Sequence, residues 1–304
     1  MEFPKTLIEF QERFPDEASC WTFVRGERWP RGFVCPRCGS RGSHFVQTRC
    51  LEQCRRCRYQ ASVTAGTVLH GTRVPLRVWL LAMFFLGRHK KGISALQFQK
   101  DAGLGSYQTA AWTLLHKLRS GLFSRASHRL TGAVEADETY IGGYQPGHLG
   151  RGVGKTGVAV AVERRRTTAG AVRLAVVRRA STEELTSFVR GAIDARKATV
   201  FTDAWQGYTA LTSQGVEHRP RVGGHGPGAS DLLPWAHTVF GNLKTWLQGT
   251  FHGVSPKHLQ RYLDEFVYRF DRRWIEAALS GFVLRRAMQA QPFPYHRLTA
   301  EPVG

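Results

Sequence analysis

Two C-x-x-C pairs, Cys35/Cys38 in "CPRC" and Cys54/Cys57 in "CRRC", stand fifteen residues apart. Each pair can turn two thiolates onto one ion, and two such knuckles complete a tetrahedral Zn²⁺ site. The surrounding segment is rich in Arg, Cys and Gly and lacks the apolar residues for a core of its own. Bound metal would therefore carry much of its stability. A redox dithiol pair is the competing reading, and the two basic knuckles at this spacing favour zinc. No His or carboxylate accompanies them to leave an open coordination position, so the site reads as structural. Cys20 and Cys50 fall outside the pattern and read as buried free thiols.

Charge narrows the partners. Among 304 residues, 43 Lys+Arg against 23 Asp+Glu give a formal net charge of +20, spread along the chain rather than gathered in a tail. Such a field favours a polyanion, nucleic acid first. The apolar run "VWLLAMFFLG" falls well short of the ~20 residues that span a bilayer, so no membrane association is expected. "MEFPKTLIEFQERF" carries acidic residues and no apolar h-region, which predicts a cytoplasmic protein without a secretory signal. In that compartment cysteines are metal ligands or thiols, not disulfides.

Residues 1–73 are expected to form an N-terminal helix and zinc ribbon. Residues 74–128 read as helical: Pro75 stands at a helix start, "GRHKKG" breaks the chain, and Ile93, Leu96 and Phe98 suit a core. Gly103-Leu104-Gly105 then makes a turn, and Ser106 caps a second helix with Ala110, Ala111, Leu114, Leu115 and Leu118 on its apolar face. This helix-turn-helix pattern would offer Tyr107, Gln108, Thr109, His116, Lys117 and Arg119 to DNA.

From residue 129 the pattern changes. "GAVEADETYIGGY", "GVAVAVERR" and "VRLAVVRRAST" alternate as strands. "TEELTSFVRGAID" reads as a helix capped by Thr182, and "ATVFTDAW" as a buried strand. A helix, the short strand "VEHRP", a Gly/His-rich loop and a last helix from Asp231 onward follow. Three strands, helix, strand, helix, short strand, helix is the order of a ribonuclease-H-like mixed sheet. The chain as a whole is thus an α+β multidomain protein, with a catalytic domain over 129–290 and a tail over 291–304. Asp137 lies in the first strand and Asp203 at the end of the later one, which neighbour each other in such a sheet. Their carboxylates could converge on Mg²⁺, a hard cation suited to oxygen ligands and phosphate. Glu135 shares the face of Asp137, and Glu138 points to the other.

"EADETYIGG", "FTDAWQGY" and "HTVFGNLKTWLQGTFHGVSPKHLQRYLDEFVYRFDRR", together with the ribbon, resemble one group of bacterial insertion-sequence transposases over roughly residues 15–290. That resemblance implies a DDE-type core using Mg²⁺ or Mn²⁺, with Asp137 and Asp203 as its first two acidic positions. It implies strand transfer at terminal inverted repeats and target DNA by a homo-oligomer in the bacterial cytoplasm. It also implies a third acid seven residues before a Lys on the last catalytic helix. Counting back from Lys244, which could grip a phosphate as a point charge, lands on His237. The chain departs from the acidic pattern here. Asn242 is the rival third residue, but at +5 it turns away from the face that His237 and Lys244 share. Imidazole suits Mn²⁺ or zinc better than Mg²⁺ and removes a negative ligand, which is compatible with slower chemistry.

Other residues make weaker claims. Trp205, Tyr208 and Trp246 could stack on splayed bases or belong to the core. Arg261, Arg269, Arg272 and Arg273 suit phosphates or solvated faces. His218, His225 and His252 show no metal spacing, and Glu265 lies on a packed helix. Three functions remain: a metal-dependent transposase, an inactive transposase-derived DNA-binding regulator, and a ribonuclease or junction nuclease on the same fold. The last leaves the ribbon and helix-turn-helix without a purpose.

Overall fold

The computed structural model describes residues 2–122, 128–142, 155–222, 232–251 and 253–300. Asp231, His225 and His252 lie outside them. Two short helices, α1 (Leu7–Arg13) and α2 (Glu17–Arg28), precede an antiparallel ribbon of β1 (Ser43–Val46), β2 (Leu51–Cys54) and β3 (Gln60–Ser62). Helices α3 (Leu76–Arg88), α4 (Ala95–Asp101) and α5 (Thr113–Leu122) follow. Next come strands β4 (Leu130–Ile141), β5 (Thr156–Arg164) and β6 (Ala169–Val177), helix α6 (Thr182–Ala192) and strand β7 (Ile193–Asp203). The chain continues through α7 (Ala210–Ser213), β8 (Glu217–Arg221), α8 (Pro234–Thr250) and α9 (Pro256–Phe270), and ends with α10 (Leu279–Gln289) and α11 (Tyr295–Thr299).

These elements form two compact units, one of Met1–Leu122 with the stretch from Trp274, the other of Phe123–Arg273. In the first, α3 is apolar almost all round and buries Trp79, Leu80, Met83 and Leu86. Pro75 leads into it without a side-chain cap, and Glu17 supplies one from α2, accepting from the Leu76 and Arg77 N–H groups at 2.6 and 3.1 Å. Helix α10 packs along α3, and the Ala287 carbonyl accepts from the Val68 N–H at 3.2 Å. The sheet unit therefore ends at Arg273 rather than at 290, because α10 spends its apolar face on α3.

Ser94 caps α4 through the Gln97 N–H, Gly103 turns the chain at φ +61, and Ser106 caps the next helix through Thr109. That helix opens as a π-helical turn over Tyr107–Trp112 before continuing as α5. Leu114, Leu115 and Leu118 are buried as their spacing requires. His116 and Arg119 are buried as well, at 0% and 1% exposure, with Arg119 Nη2 directed at the Ile93 carbonyl. These two side chains are thus turned into the helical unit and not toward DNA. Tyr107, Gln108 and Thr109 are exposed, and Lys117 is half-buried.

In the second unit the sheet order is β6-β5-β4-β7-β8. The first three strands are antiparallel, and β7 and β8 run parallel to β4. This is the expected mixed sheet with helices on both faces. Period-2 alternation divides its side chains between two cores. Val134, Ala136, Ala159 and Val200 pack with α6, while Val158, Val160, Val162 and Leu174 pack with α8 and α9. Ser181, not Thr182, caps α6, accepting from the Glu184 N–H at 3.3 Å. Among the described residues no helix is long and apolar enough to cross a membrane.

Candidate active site

Two centres can be built from the residues upward. In the ribbon, the knuckle turns close through Gly39 N–H to the Cys35 carbonyl and Arg58 N–H to the Cys54 carbonyl, at 2.9 and 3.1 Å. Gly39 and Arg58 take positive φ of 68° and 59° there. The four sulfurs lie within 4.8 Å of one another, with Cys35–Cys57 at 3.6 Å and Cys38–Cys54 at 3.7 Å. A tetrahedral ion with Zn–S bonds of about 2.3 Å needs sulfurs about 3.8 Å apart, so the donor set and its spacing fit zinc. The Cys57 N–H, aimed at the Cys54 sulfur, lowers that thiol to about 6 against the opposing effect of burial. Against the pull of the Ser40 N–H, the neighbouring thiols and burial push Cys38 the other way, to about 12, so the crowded sulfurs do not all ionise without a cation among them. Phe33, Ala61 and Trp29 pack around the cluster and supply the small core the ribbon has.

The second centre lies on the sheet face beneath α8. The β4–β7 ladder pairs Val134 with Val200 and Glu135 with Phe201. Continuing that register by two residues sets Asp137 level with Asp203, on the face shared by Glu135 and Phe201. The local backbone orients both carboxylates: Asp137 Oδ1 accepts from the Glu138 N–H at 2.8 Å, and Asp203 Oδ1 from the Trp205 N–H at 3.2 Å. Helix α8 lies over β4 and β5. Its His237 brings Nε2 to 3.5 Å from Asp137 Oδ2. Asp137, Asp203, His237 and Lys244 line one cavity of ≈ 500 Å³, together with Glu138, Thr139, Leu232, Leu233, Phe240 and Gly241. Asn242 is exposed and is not among the lining residues. Two carboxylates in an open polar cavity are a suitable donor set for a hard divalent cation.

The two glutamates flanking Asp137 have other tasks. Glu138 points to the α6 side, where the buried Tyr208 hydroxyl donates to its Oε2 at 2.9 Å. Burial, and then the Glu138 charge, hold the Tyr208 phenol well above its ordinary pKa. Glu135 is fully buried and accepts on Oε2 from the Trp235 and Ala236 N–H groups, both at 2.9 Å. Burial pushes its carboxyl up, while the Ala236 N–H and the Arg164 guanidinium pull it down.

The weaker candidates separate by environment. Tyr208 is core, and Trp246 packs against Phe251 and Phe266; Trp205 is 37% exposed. Arg269 donates to the buried Glu265, Arg272 stacks on Tyr268, and Arg273 stacks on Phe270 and donates to the Ala169 carbonyl. Arg261 is half-buried. His218 Nε2 pairs with Thr202 Oγ1 at 2.8 Å. Arg269, Arg272, Arg273 and His218 thus serve the packing of the unit.

Comparison with known proteins agrees with this arrangement. Residues 129–271 match the ISXO2-like transposase domain. Residues 15–60 match the transposase zinc-ribbon domain. The chain is also 34% identical over 119 residues to an uncharacterized protein in transposable element ISH50 of Halobacterium salinarum. That match covers 38% of this chain and 38% of the relative. The transposase domain coincides with the sheet unit, so both carboxylates, His237 and Lys244 fall inside it. The zinc-ribbon domain encloses all four ligating cysteines.

Proposed function

We propose that this chain is a metal-dependent DNA transposase, cleaving and joining strands at the ends of an insertion sequence. The observation that carries the reading is the cavity in which Asp137, Asp203, His237 and Lys244 meet, inside a region matching a transposase domain. Asp137 and Asp203 would hold Mg²⁺ or Mn²⁺. An ion held there would supply Lewis-acid chemistry for an in-line displacement, at the attacking hydroxyl and the leaving oxygen. The residues of the chain do the rest. The Glu138 and Trp205 N–H groups keep one oxygen of each aspartate turned, leaving the Oδ2 edge of Asp137 toward His237. His237 occupies the third position, for which Asn242 is worse placed because its side chain lies off the cavity. Lys244, one helical face from His237, neutralises a phosphate of the strand being cut.

Double-stranded DNA, both the inverted-repeat ends and the target, is the substrate. The zinc ribbon, the exposed Tyr107 and Gln108 and the half-buried Lys117 would contact it, supported by the net charge of +20. A homo-oligomer on DNA in the cytoplasm completes the reading, because joining two ends needs two sites. The rival is a transposase-derived regulator that binds without cutting, favoured by the loss of an acid at position 237. Incubating the full chain with an end-bearing duplex and Mg²⁺ or Mn²⁺ separates them. A transposase nicks the duplex, and D137A abolishes nicking while retaining the gel shift. A regulator only shifts it, with or without Asp137.

A further inference from the structure

A helix carrying a site residue must be held against the strand carrying its partner, and among the described residues α8 has no cap from its own N-terminal segment. Leu233 occupies its N-cap position and makes no side-chain hydrogen bond, and Pro234 is the first helical residue. The Trp235 and Ala236 N–H groups, at the second and third helical positions, are those a side-chain cap normally satisfies. They are satisfied instead by Glu135, a strand residue about a hundred positions earlier, through a single oxygen at 2.9 Å from each nitrogen. His237 is the next residue, and its N–H makes the first bond of the helix proper, to the Leu233 carbonyl at 3.1 Å.

We infer that Glu135 is a positioning residue. Its buried carboxylate caps α8 from within β4 and so sets the imidazole of His237 against Asp137, two residues along the same strand face. The remaining oxygen reinforces this placement, since Oε1 faces Arg164 Nε at 3.3 Å. The Arg164 guanidinium lies 5.2 Å over the Phe201 ring, and Arg221 lies 4.9 Å over the same ring. Phe201 is the register partner of Glu135 and stands two residues before Asp203. One buried acid thus ties the helix of His237 to both strands that carry the aspartates. Glu17 caps α3 in the same manner in the other unit. Remote capping is therefore a device of this fold, and only its placement beside Asp137 gives it a functional consequence.

The inference rests on Asp137 and His237 forming the proposed site, and the test keeps the two failures apart. The full chain is compared with E135A, E135Q and E135D by amide hydrogen exchange at Trp235 and Ala236 and by Mn²⁺ titration followed by electron paramagnetic resonance. Gln keeps an oxygen where both N–H groups converge, whereas Asp keeps the charge but is one methylene short. Removing or shortening the cap should speed exchange at the two amides by about tenfold or more. It should weaken Mn²⁺ by roughly 10–100-fold, the range for groups that orient metal ligands. E135Q, whose amide oxygen can still accept from both N–H groups, should restore exchange to within about threefold of the unaltered chain and recover Mn²⁺ only in part, because its NH2 group replaces the oxygen that faces Arg164. Unchanged exchange and Mn²⁺ affinity in E135D, or damage in E135Q equal to that in E135D, would overturn the inference. Should E135A fail to fold, E135Q against E135D decides the matter alone. If the unaltered chain binds no Mn²⁺, the metal reading fails, and the exchange arm still decides the cap.

Discussion

Gly87, the penultimate residue of α3, faces Ser280 at the start of α10. A Cβ built on Gly87 would stand 2.1 Å from Ser280 Oγ, 2.4 Å from its N and 2.6 Å from its Cα. The hydroxyl could rotate away, though it donates to the Phe84 carbonyl at 3.2 Å; the backbone atoms cannot. On an exposed helix Gly→Ala gains about 1 kcal/mol from propensity. Overpacking against immobile backbone costs about 3 kcal/mol, the upper part of its usual range. G87A should therefore lose about 2 kcal/mol. In a unit of about 150 residues each kcal/mol moves the midpoint by about 2–4 °C, so its melting should fall by about 4–8 °C. Differential scanning calorimetry, with the sheet unit's transition as internal control, reads this directly. A variant melting at or above the unaltered chain would mean that α10 does not press on α3, and that the C-terminal helices had been assigned to the wrong unit.

Three further outcomes follow from the two units. H237A should slow cleavage by roughly 10–100-fold, whereas N242A should stay within about twofold in the same assay; the reverse order would make Asn242 the third residue. C54S should release a single zinc per chain, measured by a colorimetric chelator, and remove binding energy of the order of 10 kcal/mol that folds the ribbon; full zinc retention would refute the four-sulfur site. Burial raises the Asp264 carboxyl to about 7 despite its bond from Gln260. The folded unit then holds that proton more tightly than the unfolded chain, so stability falls as pH rises from about 4 to about 7 and levels off above. D264N should remove that slope, gaining on the unaltered chain between about pH 5 and about pH 8; parallel melting curves at both pH values would refute the assignment.

The parts legible in the sequence are those fixed by short-range spacing. Cys-x-x-Cys pairs dictate which sulfurs converge, and alternation along β4 correctly puts Asp137 and Glu135 on one face and Glu138 on the other. Helical periodicity likewise sets His237 and Lys244 along one side of α8 and turns Asn242 away. Arg119 was legible too, since it follows Leu115 by four residues and precedes Leu122 by three, but treating every charge as solvated hides that. The place of α10 was not legible, because its apolar stripe suits any partner, and long-range contacts such as Gly87 with Ser280 and Val68 with Ala287 choose one. Nor was the role of Glu135, since a cap reaching across a hundred residues leaves no local signature. The sequence opens this helix at Asp231, three residues before the helix start at Pro234, and so gives no hint that Glu135 supplies the cap.

The most direct test replaces a proposed metal ligand by a softer one. D203C should lose cleavage of an end-bearing duplex in Mg²⁺ and recover a substantial part of it in Mn²⁺, which tolerates sulfur better. Equal cleavage by D203C in either ion, or cleavage by the unaltered chain that survives complete chelation of divalent ions, would contradict a cation shared by Asp137 and Asp203.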